Sequence, residues 1–98
     1  MKIVWSPRAL ERVNHHAEYI AADHPAAAER WVERLFAAVQ RLSIFPESGR
    51  PFPDVPRPDI REIVYRDSLV IYRTEPDRVV VLTVRQQRQF PNEGDLED

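Results

Sequence analysis

The sequence predicts an α+β domain. An N-terminal strand leads into an antiparallel helical hairpin, and a three-stranded antiparallel meander follows (β-α-α-β-β-β), with the helices on one face of the sheet. Three observations predict it. Two apolar stripes run at helical spacing, each opened by a proline. A proline-dense stretch then allows neither helix nor central strand. Three runs rich in β-branched residues follow, separated only by short turns.

Lys2 to Trp5 alternates as a short strand, with Ile3 and Trp5 on one side and Val4 on the other. Ser6-Pro7 then opens a helix, because serine caps well and proline suits the first helical position. Leu10, Val13, Ala17 and Ile20 form its apolar face. Asp23-His24-Pro25 breaks and restarts the chain, with Asp23 or His24 as the next cap. Ala28, Trp31, Leu35, Ala38, Leu42 and Phe45 make the second stripe, widened by Val32 and Val39. So short a connection makes the helices antiparallel neighbours, and Pro46 ends the second one. Five prolines within residues 46–58 predict a stiff, mostly extended loop with Ser48-Gly49 as its one flexible corner. Strands are expected at Arg61–Arg66, Leu69–Thr74 and Arg78–Arg85, turning at Asp67-Ser68 and at Glu75-Pro76-Asp77. On the last strand Val80, Leu82 and Val84 share one face, expected to meet the helices. Val79, Val81, Thr83 and Arg85 share the other, expected to be the working surface.

The chain has 98 residues, enough for one domain, set at residues 2–90 with a flexible acidic tail at 91–98. A domain of this size hides only about 60–70% of its unfolded surface, so each large apolar residue counts. There are no cysteines, which excludes disulfides, thiolate metal sites and a cysteine nucleophile. No apolar run reaches membrane-helix length, and the N-terminus lacks a signal-peptide pattern, so the expected compartment is the cytoplasm. The net charge is -2. Setting aside the four acids of the tail leaves a balance of +2, and thirteen of the 14 basic residues are arginine. That near-neutrality argues against direct sequence-specific nucleic-acid binding.

Several segments, in order, resemble the RelE/ParE toxin superfamily, and its ParE-like branch in particular. They are Trp5-Ser6-Pro7 with Ala9 and Leu10, Pro25-Ala26-Ala27-Ala28, Leu42-Ser43-Ile44-Phe45-Pro46-Glu47-Ser48-Gly49-Arg50, Arg61-Glu62-Ile63, Val70-Ile71-Tyr72-Arg73 and Val84-Arg85-Gln86-Gln87-Arg88. The resemblance covers roughly residues 2–90. It implies the toxin of a type II toxin–antitoxin pair, neutralised by a cognate antitoxin in a hetero-oligomer. RelE-like members of the superfamily cut mRNA on the ribosome. ParE-like members poison DNA gyrase.

Cutting RNA through its 2′-hydroxyl needs a base, a phosphate-steadying cation and an acid. The ribonuclease branch carries an arginine three residues before the strand tyrosine, where this chain has Leu69. After Tyr72 there is no further tyrosine, after His24 no further histidine, and the only lysine is Lys2. The expectation is therefore a non-catalytic toxin that inhibits DNA gyrase by binding. The alternatives are a ribosome-dependent endonuclease, or a degenerate toxin working mainly in antitoxin binding and operon control. Expected target-binding residues are Arg61, Arg85, Gln87 and Arg88. The antitoxin is expected to lay an amphipathic segment in a groove near Phe45, Phe52, Val55 and Arg73. No cofactor is implied. His15, His16 and His24 lack the spacing of a zinc site and read as solvated surface residues, so no metal is expected. Trp5 and Trp31 read as core.

Overall fold

The computed structural model describes residues 1–86. Strand β1 (Lys2–Trp5) precedes helices α1 (Pro7–Ala21) and α2 (Pro25–Gln40) and a single 3-10 turn at Arg41–Ser43. Strands β2 (Arg50–Pro51), β3 (Ile60–Tyr65), β4 (Ser68–Thr74) and β5 (Arg78–Gln86) follow. They form one mixed sheet in the order β1-β5-β4-β3-β2. The meander is antiparallel, β1 lies parallel to β5, and β2 pairs with β3 at the far edge. Strand β2 lies inside the proline-rich stretch, where sequence predicts only loop. Pro51 is tolerated there because an edge strand can spare its missing N–H.

Helix α1 starts as expected. The Ser6 hydroxyl accepts a hydrogen bond from the Ala9 N–H at 3.0 Å and donates to the Leu82 carbonyl at 2.9 Å. One side chain thus caps the helix and pins it to β5. The buried face of α1 is rotated from the expected one: Ala9 and Val13 are buried, while Leu10 is exposed. Alanine lets the helix lie close to the sheet, and that close approach turns Leu10 outward. Helix α2 ends earlier than Pro46 suggests. The 3-10 turn breaks the stripe after the buried Leu42, leaving Ile44 and Phe45 exposed. The first hairpin turns at Arg66-Asp67, one residue before the expected position, with Arg66 at φ 54°.

One β-bulge reassigns the faces of β5. Ile71 pairs with Thr83 and Tyr72 with Val81, so Leu82 is the extra residue. Strict alternation is lost there. Val79, Val81 and Val84 all face the helices, and with Val70, Tyr72, Leu35, Val39 and Leu42 they form the main core. The prediction that Val80, Leu82 and Val84 meet the helices together is therefore corrected. Nor is the opposite face open. Phe52, Ile60, Leu69 and Ile71 form a second buried cluster there, flanked by Val55 and Leu82. Beyond β2 the proline-rich segment is not extended. It folds back through Phe52 N–H to Ile60 O and Thr74 N–H to Asp59 O. Among the described residues, no helix is long and apolar enough to cross a membrane.

Candidate functional site

The corner at residues 46–50 is where the singled-out sequence motifs meet. Tyr72 lies on the helix-facing side of β4. Its hydroxyl donates to the Pro46 carbonyl at 2.8 Å and accepts from the Gly49 N–H at 3.0 Å. Arg61, cross-strand from Tyr72, donates from Nη1 to the Gly49 carbonyl at 2.7 Å. Gly49 is required by close approach, not by an unusual φ. A Cβ there would lie 2.5 Å from the Glu62 carbonyl oxygen and 2.6 Å from the Tyr72 hydroxyl. Glu62 is buried beneath this corner and pairs with Arg50. Burial pushes the Tyr72 phenol above its ordinary 10.0, the Gly49 hydrogen bond opposing this only in part. An arginine and a tyrosine do converge, then, but the phenol is buried, held in the neutral form and engaged in both directions.

Arg85 is exposed on the other side of the sheet. It lies cross-strand from Leu69, with its guanidinium 5.7 Å from the centre of the Phe52 ring. Arg61 and Arg85 therefore occupy opposite faces and do not form one site. Gln87 and Arg88 lie outside the described residues, as does the acidic tail. Phe52 is 8% exposed and covers the second cluster. Val55 is half-buried beside it. Phe45 is 60% exposed. Arg73 is tied to Glu75, which also binds Arg78. Both arginines hold the Glu75 carboxyl below its ordinary 4.5, Arg78 more strongly.

Two further surfaces are concave. Between the outer sides of α1 and α2 lies a groove of about 680 Å³, floored by Ala17, Ala21, Ala28 and Val32 and edged by Glu18, Glu29 and Glu33. At the end of the sheet, two adjoining hollows of about 550 and 270 Å³ share Ile20, Trp31 and Arg66. Here the ring of His16 meets Trp31 edge-on at 4.7 Å. His16 is thus not a free surface histidine. Its pKa is lowered by burial first and by His15 second, with Asp67 opposing. Among the described residues, no group of three or more His, Cys, Asp or Glu side chains is placed to hold a metal ion.

A sequence model described as the ParE toxin of the type II toxin–antitoxin system parDE matches residues 3–91. The chain belongs to the ParE toxin family. It is similar to a Sinorhizobium fredii protein named Putative toxin Y4kP, at 35% identity over 92 residues, covering 92% of this chain and 93% of that one. Its fold is similar to a chain from the chromosomal ParDE system of P. aeruginosa. The TM-score is 0.75 at 16% identity, covering 88% of this chain and 95% of that one.

For this ParE-family chain, the residues carrying the resemblance divide by role. Gly49, Arg50, Arg61, Glu62 and Tyr72 build one corner of the scaffold. Ser6 joins helix to sheet. Of the expected target contacts within the described residues, Arg85 lies at the surface and makes no ion pair among the described residues, and Arg61 is committed to the corner. The hollows around Trp31 escaped sequence reasoning, because a tryptophan at a stripe position reads as core. The one available signal was the pair Arg30 and Arg34, one helical turn apart beside Trp31.

Proposed function

We propose that this ParE-family toxin inhibits DNA gyrase by binding it, performs no bond-breaking step of its own, and is neutralised by a cognate antitoxin. The observation that carries the reading is the state of Tyr72. It lies cross-strand from Arg61, and its oxygen is already spent on Pro46 and Gly49. A phenol raised above its ordinary value and shut off from solvent is a poor base at neutral pH. Arg61 cannot swing to a phosphate without releasing the Gly49 carbonyl. The proposed target contacts are Arg85, Gln87 and Arg88, and Arg61 is left out because the corner uses it.

The antitoxin segment lies in the groove between α1 and α2. Leu10 and Phe36, further along the same helices, are both exposed and extend the apolar track beyond Asn14 and Val32. Glu18, Glu29 and Glu33 call for basic residues on the docking segment. Phe45 extends the contact surface at the far end of the hairpin.

The deciding experiment runs purified toxin in two assays side by side, gyrase supercoiling and cleavage of translated mRNA. Inhibition of supercoiling at micromolar toxin, with intact mRNA, is expected. Codon-linked cuts that vanish in Arg61→Ala would overturn the proposal.

A further inference from the structure

We infer that the paired hollows at the end of the sheet form a stacking site for a single-stranded nucleic-acid segment, held by backbone phosphate and base face without reading sequence. Two of the three tyrosines and one of the two tryptophans gather here, as Tyr19, Tyr65 and Trp31. Tyr19 is 75% exposed, with its ring nearly parallel to that of His16 at 19° and 6.1 Å. Its outer face is open to a base. His16 in turn meets Trp31 edge-on, so Tyr19 borders a cluster of rings.

Cations surround these rings. Arg30 and Arg34 lie one turn apart on α2, and Arg66 projects from the β3–β4 turn; all three line the smaller hollow, which takes no carboxylate from the described residues. Arg66 is spread over Tyr65, 5.8 Å from the ring centre, with its Nε 3.3 Å from the Tyr65 hydroxyl. Neither Arg30 nor Arg34 takes part in an ion pair among the described residues. The larger hollow adds His15 and His16 and one acid, Asp67.

Helix α2 sorts its charge to produce this. Glu29 and Glu33 border the groove toward α1, while Arg30 and Arg34 border the hollow toward the sheet. The two stripes are each of one sign, although like charges one turn apart weaken a helix. The two stripes are neighbours on the helix, about 100° apart, and each borders a different hollow.

Rings and guanidinium groups together select the ligand. A carboxylate-rich peptide would use the arginines and leave the ring faces idle. A duplex would offer phosphates but keep its base faces stacked internally. A single strand offers both, since every base has a face to stack and every linkage a charge. The low net charge of the chain sets the expected strength. Binding is weak, local and steeply salt-dependent.

The test uses the full-length toxin and a labelled oligothymidylate, read by fluorescence anisotropy at low salt. It requires no gyrase, so its outcome is separate from that of the supercoiling assay. Saturable binding is expected, stronger than to a duplex of equal length. The double variant Arg30→Ala/Arg34→Ala should flatten the plot of log affinity against log salt by about 1.4, two phosphate contacts on a single strand. Tyr19→Ala should weaken binding about fivefold or more and leave that slope unchanged. Both changes sit on the surface, and circular dichroism checks that the variants fold. Equal binding of polyglutamate would assign the hollow to an acidic peptide, and equal binding of duplex would remove the stacking. Either result overturns the inference, as does the absence of saturable binding at low salt.

Discussion

Removing a single oxygen, in Tyr72→Phe, leaves the Gly49 N–H and the Pro46 carbonyl without their partner. Stranded buried polar groups put the loss of stability at about 1–3 kcal/mol, measurable by urea denaturation. Gly49→Ala attacks the same corner sterically. Its new methyl would meet the Glu62 backbone oxygen and the Tyr72 hydroxyl, so about 2–3 kcal/mol is expected from overpacking. Equal stability of either variant with wild type would show that the corner is not tightly held. His16 governs the pH response. Its folded pKa lies below the ordinary 6.5, so the folded protein binds its proton less readily than the unfolded chain. The stabilisation is therefore complete above pH 6.5 and is lost as pH falls below that value through the folded pKa. The lowered carboxyls of Asp59 and Glu75 act further down, below 3.8 and 4.5. Melting temperatures measured from pH 7 to pH 5 should fall for wild type and fall less for His16→Gln.

Among the elements, the junction of α1 with β5 rests on Ser6. Ser6→Ala removes a helix cap and a bond to the bulged strand together, a cost of about 1–2 kcal/mol in thermal or chemical unfolding. Ser6→Thr, which keeps the hydroxyl, should recover most of that loss. The starts of both helices were legible in the sequence, because Ser6-Pro7 and His24-Pro25 act through local backbone chemistry. The rotation of α1 was not. Leu10 is more apolar than Ala9, and only the distance between helix and sheet decides which of them fits inside. Nor was the split of β5 legible. Val79 through Val84 is apolar at nearly every position, so nothing in the pattern marks Leu82 as the extra residue.

At the scale of the whole molecule, the groove between the helices should behave as the antitoxin seat. Adding the cognate antitoxin at a hundredfold excess over its Kd should raise the melting temperature by roughly 10–20 °C. Glu29→Lys/Glu33→Lys should shrink that shift without lowering the melting point of the toxin alone. An undiminished shift would place the antitoxin elsewhere, with Phe45 the next surface to vary.

The sequence by itself determined the order of the main elements, the Ser6 cap, the helical hairpin and the family. These depend on neighbouring residues, through periodicity, proline geometry and turn chemistry. Only the tertiary structure decided that Arg61 is tied to the Gly49 corner and that Arg85 lies on the opposite face. It also brought Phe52 inside and set Trp31 beside Tyr19 and Arg66. Each of these rests on contacts between segments distant along the chain, and one bulge is enough to exchange the faces on which a side chain meets its partners.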